Sequence, residues 1–369
     1  MKYNKRKKLC LIYNFAQHYR SNIFQLMDQE LHCDFVFGDS YLDVKKMDYS
    51  LLANVQEVRN RRVIGNWYIQ LNVISLLAKY KVLFIVGDVH CISTWIILFF
   101  ARFWNTRIYI WGHGWYGKES FFVSQLKKLY FMLAHGVFLY GTYARELMIK
   151  RGFQKDKLYV IYNSLDYDRQ IEIRKTLYPS DIFHAHFQNS APNLIFVGRL
   201  TQIKRLDMLL DSLRILHDED VKVNLTFVGD GEQCQVLEKR AYDLGIKDYV
   251  WFYGACYDEQ KLSELIYNAD LCVSPGNVGL TAMHSMVFGT PVITHDNFAY
   301  QMPEFEAVQK GETGDFFRYG DVVSLADTIK NWIVIKQKCR TDIRQNCYDV
   351  IDNKYNPHCQ IRIMKQHLE

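Results

Sequence analysis

The stretch Ser274-Pro-Gly-Asn-Val-Gly-Leu280, followed by Gly289-Thr-Pro-Val-Ile293, decides the fold of this chain. An apolar strand ends at Val273, a turn with two glycines follows, and the pattern predicts a helix from Leu280 to Phe288. Gly289 is the expected stop of that helix, and Pro291 opens the next strand. The first N–H groups of such a helix lack intrahelical partners, and its dipole is positive there. The sequence therefore predicts an anion site at this turn, suited to phosphate.

A second motif upstream supplies positive charge. Arg199 follows the predicted strand Leu194–Val197, and Lys204 comes five residues later. A diphosphate held between these two cations and the helix start would explain both motifs. The alternative is that Arg199 and Lys204 form ion pairs beside Asp207 at the strand end.

Composition sets broad bounds. The chain has 369 residues, enough for two domains, and its 49% apolar content excludes a wholly disordered protein. Nine cysteines without CxxC spacing indicate reduced thiols and no zinc site. Leu9–Tyr13 is too short for a signal peptide and is expected to be the first strand, and no apolar run is long enough to span a bilayer. We expect a cytoplasmic protein without metal, other cofactor or nucleic-acid partner.

Charge divides unevenly along the chain. Residues 1–165 hold 23 Lys and Arg against 11 Asp and Glu, whereas the remainder holds 22 against 29. This asymmetry suggests two domains with different partners. In the basic half, the segments Ile92–Trp104 and Leu126–Leu133 mix aromatic and basic residues. They fit peripheral helices on an anionic membrane surface, at the inner face of the cytoplasmic membrane. The alternative is that they are core helices whose basic residues face water.

Short apolar runs alternate with helical patterns, which predicts an α/β fold with parallel sheets and crossover helices. We expect a first domain over residues 1–170, an irregular linker over 171–192, a second domain over 193–345 and a C-terminal helical segment over 346–369. Pro357 is expected to break or restart a helix in that last segment. The predicted strands are Leu9–Tyr13, Cys33–Phe37, Val82–Val86, Arg107–Trp111, Gly136–Tyr140, Leu158–Ile161, Leu194–Val197, Asn224–Val228, Val250–Tyr253, Leu271–Val273 and Pro291–Thr294. The predicted helices include Ile23–Glu30, Ile69–Lys79, Tyr143–Arg151, Leu206–His217, Gln233–Leu244, Asp258–Asn268 and Leu280–Phe288.

The second half resembles the donor domain of the retaining GT-B glycosyltransferases of family 4, also called group 1. The first half resembles the acceptor domain of that family more weakly, through Tyr19-Arg20, Trp111–Gly114 and Val160–Asn163. The motifs that carry the stronger resemblance are Val197–Lys204, Phe227–Glu232, Val250–Gly254, Ala269–Pro275, Gly289–Ile293 and Gly311–Gly314.

The resemblance implies two Rossmann-like domains with parallel sheets facing across a cleft, and a C-terminal helix that crosses back to the first domain. It also implies a retaining hexosyltransferase that moves sugar from a nucleotide-sugar donor to a carbohydrate or lipid-linked glycan acceptor. The pathway would be surface polysaccharide or glycolipid biosynthesis, and no metal would be needed.

By the same resemblance, Arg199, Lys204 and His113 are the expected catalytic residues, and Arg20 and His113 are expected to bind acceptor. His113 follows a strand end, where ligands of open α/β sheets gather. The expected nucleotide-sugar-binding residues are Gly198, Arg199, Lys204, Gly231, Gly254, Asn277, Val278, Gly279, Leu280, His284 and Glu304.

The chain departs from the family at two positions. The family usually has glutamates where this chain has Gly276 and His284. His284 is expected to hydrogen-bond a ribose hydroxyl, with a core histidine as the alternative; Glu306 is the alternative to Glu304. Two other functions therefore stay open. One is a nucleotide-sugar epimerase or hydrolase of the same fold, and the other is a non-catalytic partner protein that binds nucleotide-sugar.

Overall fold

The computed structural model describes residues 6–40, 44–336 and 339–368. The chain divides into two compact units, Met1–Asp166 with Asn356–Glu369, and Tyr167–Tyr355. We call them the N-terminal unit and the C-terminal unit.

The strands are β1 (Lys7–Tyr13), β2 (Asp34–Gly38), β3 (Val55–Val58), β4 (Asn60–Ile64), β5 (Trp67–Gln70), β6 (Tyr80–Val86), β7 (Arg107–Gly112), β8 (Gly136–Leu139), β9 (Leu158–Val160), β10 (Asn193–Val197), β11 (Asn224–Val228), β12 (Val250–Gly254), β13 (Leu271–Ser274), β14 (Val292–His295) and β15 (Gly314–Phe317). The helices are α1 (Ser21–Leu31), α2 (Leu76–Lys79), α3 (Ile92–Phe100), α4 (Phe121–Met132), α5 (Thr142–Lys150), α6 (Tyr167–Arg174), α7 (Ile182–Phe187), α8 (Leu206–Asp218), α9 (Cys234–Asp243), α10 (Glu259–Asn268), α11 (Leu280–Val287), α12 (Val322–Asn331), α13 (Arg340–Lys354) and α14 (Pro357–Leu368).

The N-terminal unit is built on a seven-stranded sheet in the order β3-β2-β1-β6-β7-β8-β9. Every neighbouring pair in it is parallel. Parallel strands need crossover connections, and these place helices over both faces of the sheet. An antiparallel hairpin, β4 with β5, stands outside the sheet. The strand order reverses between β1 and β6, and such switch points are where open α/β sheets bind ligands.

The last helix, α14, completes the N-terminal unit, as the family resemblance implies. The expected start of the returning segment at residue 346 was wrong, because α13 belongs to the C-terminal unit and the N-terminal unit resumes at Asn356. Its Ile361, Met364 and Leu368 share a buried core with Phe24 and Met27 of α1. Gln360, fully buried, accepts a hydrogen bond from the Ser164 hydroxyl at 2.6 Å. Pro357 opens the helix, where its missing N–H costs no intrahelical bond.

The C-terminal unit contains a six-stranded sheet in the order β12-β11-β10-β13-β14-β15. All of its pairings are parallel as well. Here too the order reverses, between β10 and β13, so the loops that follow these two strands lie side by side at one edge. Those are the loops that carry Arg199, Lys204 and the turn Ser274–Gly279.

Two predicted segments differ from the structure. The predicted linker 171–192 was wrong as an irregular stretch, because it contains the end of α6 and the whole of α7. His186 of α7 stacks on Trp251 with ring centroids 3.9 Å apart, and this tertiary packing fixes a segment of weak local signal. The predicted helix Ile69–Lys79 was also wrong before Leu76: Ile69 and Gln70 belong to β5, which pairs with β4, and residues 71–75 form turns.

Candidate functional site

The turn after β13 is held in shape by buried side chains from the next strand and loop. Gln301 accepts a hydrogen bond at its Oε1 from the Val278 N–H at 2.9 Å, and its Nε2 donates to the Thr294 hydroxyl at 2.7 Å. The Thr294 hydroxyl in turn donates to the Ser274 carbonyl at 2.9 Å. Gly279 caps α11 with a φ of 53°, a conformation that favours glycine. The start of α11 is therefore fixed before any ligand arrives.

Lys204 reaches this turn directly. Its ammonium donates to the Asn277 carbonyl at 2.7 Å and to the Asn277 side-chain oxygen at 2.8 Å. Among the described residues these are the two acceptors of that ammonium, which has three N–H donors. One donor thus stays available to a ligand at the start of α11. The alternative pairing with Asp207 is not what forms, since Asp207 contacts Arg205.

Burial changes the acid–base behaviour of Lys204. Desolvation lowers the pKa of its ammonium to about 8, against the opposing effect of the Glu304 carboxylate. Glu304 is itself buried, in the short helix Pro303–Ala307. Lys204 and Glu304, both predicted donor-site residues, are thus electrostatically coupled. An anion bound at Lys204 would favour the charged form of the ammonium.

Gly276 occupies a position that admits no side chain. A Cβ there would lie 2.1 Å from the Ile203 carbonyl oxygen and 2.7 Å from the Lys204 Cα. The Gly276 N–H donates to the Lys204 carbonyl at 2.9 Å. A glutamate like that of the family would therefore not fit at this position. Instead, a backbone hydrogen bond holds the loop that contains Lys204 against the turn that contains Gly276.

The remaining predicted donor residues lie around the same edge of the sheet. Arg199 is exposed just after β10, and Gly198 donates to the Val228 carbonyl at 3.0 Å. Gly231 packs so tightly that a Cβ would lie 2.4 Å from the Leu200 carbonyl oxygen. Gly254 accepts the Gly229 N–H at 2.9 Å. Close packing explains Gly231, whereas Gly254 has open space at its Cβ position and a φ of 86°, which favours glycine. A nucleotide contact for Gly231 and Gly254 stays a prediction.

His284 contacts a carboxylate of its own unit. Its Nε2 lies 2.9 Å from Glu259 Oε1, which also accepts from Gln170 Nε2 at 2.9 Å. Burial acts to raise the pKa of Glu259, but the His284 and Gln170 hydrogen bonds outweigh it and lower that pKa to about 2. The three residues join α11, α10 and α6. This geometry favours the alternative of a histidine with a packing role.

A large cavity opens in the N-terminal unit at the carboxyl ends of β1, β6 and β7. It has a volume of about 760 Å³ and contains both predicted acceptor residues, Arg20 and His113, in its lining. Five polar atoms on its lining residues are buried and lack a hydrogen-bond partner among the described residues. They are Asn14 Oδ1, Gln17 Oε1, Asn60 Oδ1, Trp111 Nε1 and His113 Nδ1. Buried polar atoms are rarely left unpaired, so this cavity is suited to a ligand rich in hydrogen-bonding groups.

His113 is a neutral imidazole in this cavity. Burial first, then the charges of Arg20 and Lys127, lower its pKa to about 3. Its ring lies 4.8 Å from the ring of Tyr140, between centroids. A neutral imidazole can both donate and accept a hydrogen bond, so His113 can orient a hydroxyl without adding charge.

Arg20 is buried among aromatic rings. Its guanidinium carbon lies 5.3 Å from the ring centroids of both Trp111 and Tyr140, and 5.8 Å from those of Tyr13 and Tyr19. Such cation–π contacts fix the orientation of a planar cation that is mostly removed from water. Arg20 is thus a preorganised positive group in the cavity wall.

Sequence reasoning missed several of these residues. Asn14 and Gln17 follow β1 in the loop that also leads to Arg20, so the strand-end rule applied to Arg20 would have found them. Gln301 and Thr294 carry no local motif, since only the folded turn brings them to Ser274 and Val278. The hairpin residues Asn60, Arg62 and Tyr68 also line the cavity.

Two kinds of feature are absent from the described part of the chain. Within residues 6–40, 44–336 and 339–368, no group of three or more His, Cys, Asp or Glu side chains is arranged to hold a metal ion. Across the same residues, the helices are all too short or too polar to cross a membrane.

The C-terminal unit contains the segment that matches a known protein family. Residues 180–350 match the family model described as glycosyl transferases group 1. An uncharacterized 41.2 kDa protein in the cps region of Klebsiella pneumoniae is 26% identical over 273 residues, covering 71% of this chain and 65% of that protein. The putative glycosyltransferase EpsD of Bacillus subtilis is 27% identical over 150 residues, covering 40% and 38%. The chain thus matches less than two thirds of the length of either relative.

Among solved structures, the Anabaena protein HepE in complex with UDP is similar, with a TM-score of 0.72 and 17% identity over 97% of this chain and 99% of that one. This likeness concerns the fold. Residues 180–350 therefore resemble a glycosyl transferases group 1 domain, and the chain has the GT-B fold.

Proposed function

We propose that the protein is a retaining glycosyltransferase that uses a nucleotide-sugar donor and a carbohydrate acceptor. The single observation that supports this most is the ammonium of Lys204, held at the start of α11 by Asn277 and coupled to Glu304. The HepE structure of the same fold contains UDP, which supports a nucleoside diphosphate as the leaving group.

In the C-terminal unit, the chemistry needed is stabilisation of a leaving diphosphate. Lys204 has one N–H donor left for a phosphate oxygen, and Arg199 is exposed nearby along the chain. The first N–H groups of α11 add a third source of positive potential. The Lys204 ammonium and the start of α11 are fixed before the reaction, so they favour the charge that develops in the transition state.

In the N-terminal unit, the cavity with Arg20 and His113 is proposed as the acceptor site. Its unpaired atoms combine acceptors, Asn14 Oδ1 and Gln17 Oε1, with a donor, Trp111 Nε1. Sugar hydroxyls both donate and accept, so a carbohydrate satisfies such a mixed lining. Neutral His113 would orient the attacking hydroxyl. We propose that the product belongs to a surface polysaccharide or glycolipid, made in the cytoplasm without a metal.

The test is incubation with UDP-, GDP- and ADP-sugars, with and without a membrane extract that contains candidate acceptors. We expect release of nucleoside diphosphate that depends on the extract. Conversion of the donor without acceptor would instead identify an epimerase or hydrolase. Binding of donor without any turnover would identify a non-catalytic partner protein.

A further inference from the structure

The end of α3 and the short helix that follows it present aromatic side chains to solvent. Phe99, Phe100, Phe103 and Trp104 are all exposed, Phe103 by 75%. Their rings touch one another, with the Phe99 and Phe100 centroids 5.2 Å apart and those of Phe100 and Phe103 6.0 Å apart. We call these four residues the aromatic cluster. Exposed apolar residues that form one contiguous group indicate an interaction surface.

A second exposed apolar group lies on α4. Phe122, Leu129 and Met132 are spaced so that they share one side of the helix, and all three are exposed, Phe122 by 83%. Phe121 is exposed beside them. A helix on the surface of a protein in water normally carries polar residues on this side. We call these four residues the α4 stripe.

The two groups lie on neighbouring helices. The Trp95 ring of α3 and the Tyr130 ring of α4 have centroids 5.0 Å apart. Ile97 of α3 and Phe131 of α4 also share one buried core on the same face of the seven-stranded sheet. The aromatic cluster and the α4 stripe are therefore exposed parts of two helices that pack against each other, and we call these two helices with the turn after α3 the helical layer.

The charge carried by this segment of the chain is mostly positive. The segment from residue 92 to residue 135 contains five Lys and Arg but a single acidic residue, Glu119. That carboxylate is bound by Lys127 at 2.7 Å and by the N–H of Tyr116 at 2.8 Å. Arg102 is exposed within the aromatic cluster segment, and Lys128 is partly exposed beside the α4 stripe. The layer thus offers large apolar side chains and cations without an unpaired acid.

We propose that this layer docks on an anionic lipid bilayer. The aromatic cluster and the α4 stripe enter the interface between headgroups and acyl chains, while the surrounding Lys and Arg contact anionic headgroups. The exposed side chains favour the first of the two sequence interpretations of these segments, because the helices have a buried side but their outer sides are apolar and not merely basic. The inference is independent of the catalytic proposal, because it concerns binding to lipid and not turnover.

The test is cosedimentation of the full chain with vesicles of phosphatidylglycerol and, separately, of phosphatidylcholine. We expect binding to the anionic vesicles that weakens as salt is raised, and much weaker binding to the neutral ones. The triple variant Phe99→Ser, Phe103→Ser, Phe122→Ser should have a partition constant for the anionic vesicles that is lower than that of the unaltered chain by about ten-fold or more. A matched variant, Tyr242→Ser with Tyr257→Ser, alters exposed aromatics of the C-terminal unit and should bind as the unaltered chain does.

A second variant pair tests the charge separately. Arg102→Glu with Lys128→Glu keeps every apolar residue and should reduce binding to the anionic vesicles only. Equal vesicle binding by the triple variant and the unaltered chain would overturn the proposal. The proposal would also be overturned if the chain binds neither kind of vesicle and instead self-associates through the same residues, since a second copy would then cover the layer. Unchanged far-UV circular dichroism of each variant confirms that the fold persists.

Discussion

The Lys204 ammonium lies 2.7 Å from the backbone carbonyl of Asn277 and 2.8 Å from its side-chain oxygen. The loop after β10 and the turn after β13 are thereby joined through a cation at the start of α11. The N–H of Gly276 donates to the Lys204 carbonyl and closes the same contact from the other side. A cation that bridges two strand-end loops is well placed to meet a diphosphate.

Replacing Lys204 tests its role in donor binding. Lys204→Met keeps the apolar stem and removes the charge, so we expect binding of nucleoside diphosphate to weaken strongly and turnover to fall by about 10²–10³-fold. Thermal stability should change little, since a desolvated ammonium is itself costly to bury. Lys239→Met, at an exposed position of the same unit, is the matched control. Titration calorimetry and thermal unfolding measure both effects; equal affinity in the two variants would contradict the assignment.

The pH dependence of donor binding follows from the lowered pKa of Lys204. With that pKa at about 8, the ammonium is charged at pH 7 and loses its proton as pH rises above 8. A diphosphate prefers the charged form, so affinity should fall over this interval and binding near pH 8 should take up protons. Asn277→Asp places a carboxylate on the ammonium, which should move the fall to higher pH. Affinity that is constant from pH 7 to 10 would argue against Lys204 as the ligand.

His113 should not titrate in the working range. Burial lowers its pKa to about 3, so the imidazole stays neutral from pH 5 to 9 and its NMR signals should not shift there. The unfolded chain protonates this histidine near pH 6.5, so its contribution to stability is lost as pH falls below that value. His113→Phe should lower turnover with little loss of donor affinity, whereas Asn retains a polar group and should keep part of the activity. An imidazole that titrates near pH 6.5 would show that the cavity is open to water.

His284 and Glu259 should be coupled in stability. The lowered pKa of Glu259 means that its contribution is present above the unfolded value of 4.5 and is lost as pH falls toward 2. His284→Ala and Glu259→Gln should each lower the melting temperature, and the double variant should cost less than the sum. Donor affinity should be close to unchanged. If His284→Ala instead weakens donor binding without a loss of stability, the ribose contact expected from the family pattern is correct.

Restoring the family residue at Gly276 should damage the fold. Even a methyl group would meet the Ile203 carbonyl, so Gly276→Ala should cost about 1–3 kcal/mol or more of unfolding free energy. Gly276→Glu should fold still less well and should not increase turnover. Urea unfolding measures the cost. If the Gly276→Glu variant is stable and more active, the prediction is wrong, because the loop with Ile203 and Lys204 must then move away from residue 276 to make room for the side chain.

Much of the fold could be predicted because apolar runs mark buried parallel strands whatever surrounds them. The runs at Leu9–Tyr13 and Leu194–Val197, for example, lie within β1 and β10. The hairpin of β4 and β5 was missed because Ile69–Lys79 also has helical spacing. Only pairing with Asn60–Ile64 makes the start of this segment, Ile69 and Gln70, part of a strand. Helix α6 was missed because few of its residues are apolar; its Gln170 is instead held by Glu259.

The candidate site was predictable to the extent that it depends on chain-local patterns. Lys204 and Asn277 were identified from motifs at strand ends, where ligands gather. Their mutual hydrogen bonds, the support from Gln301 and the tight packing at Gly276 depend on contacts between distant loops. No spacing in the sequence encodes those contacts.

The most direct test is a crystal structure of the chain with a nucleoside diphosphate-sugar bound. We predict a phosphate oxygen within hydrogen-bond distance of Lys204 Nζ and of a backbone N–H in the first turn of α11. A diphosphate bound elsewhere, with the Lys204 ammonium still satisfied by Asn277 alone, would contradict the account.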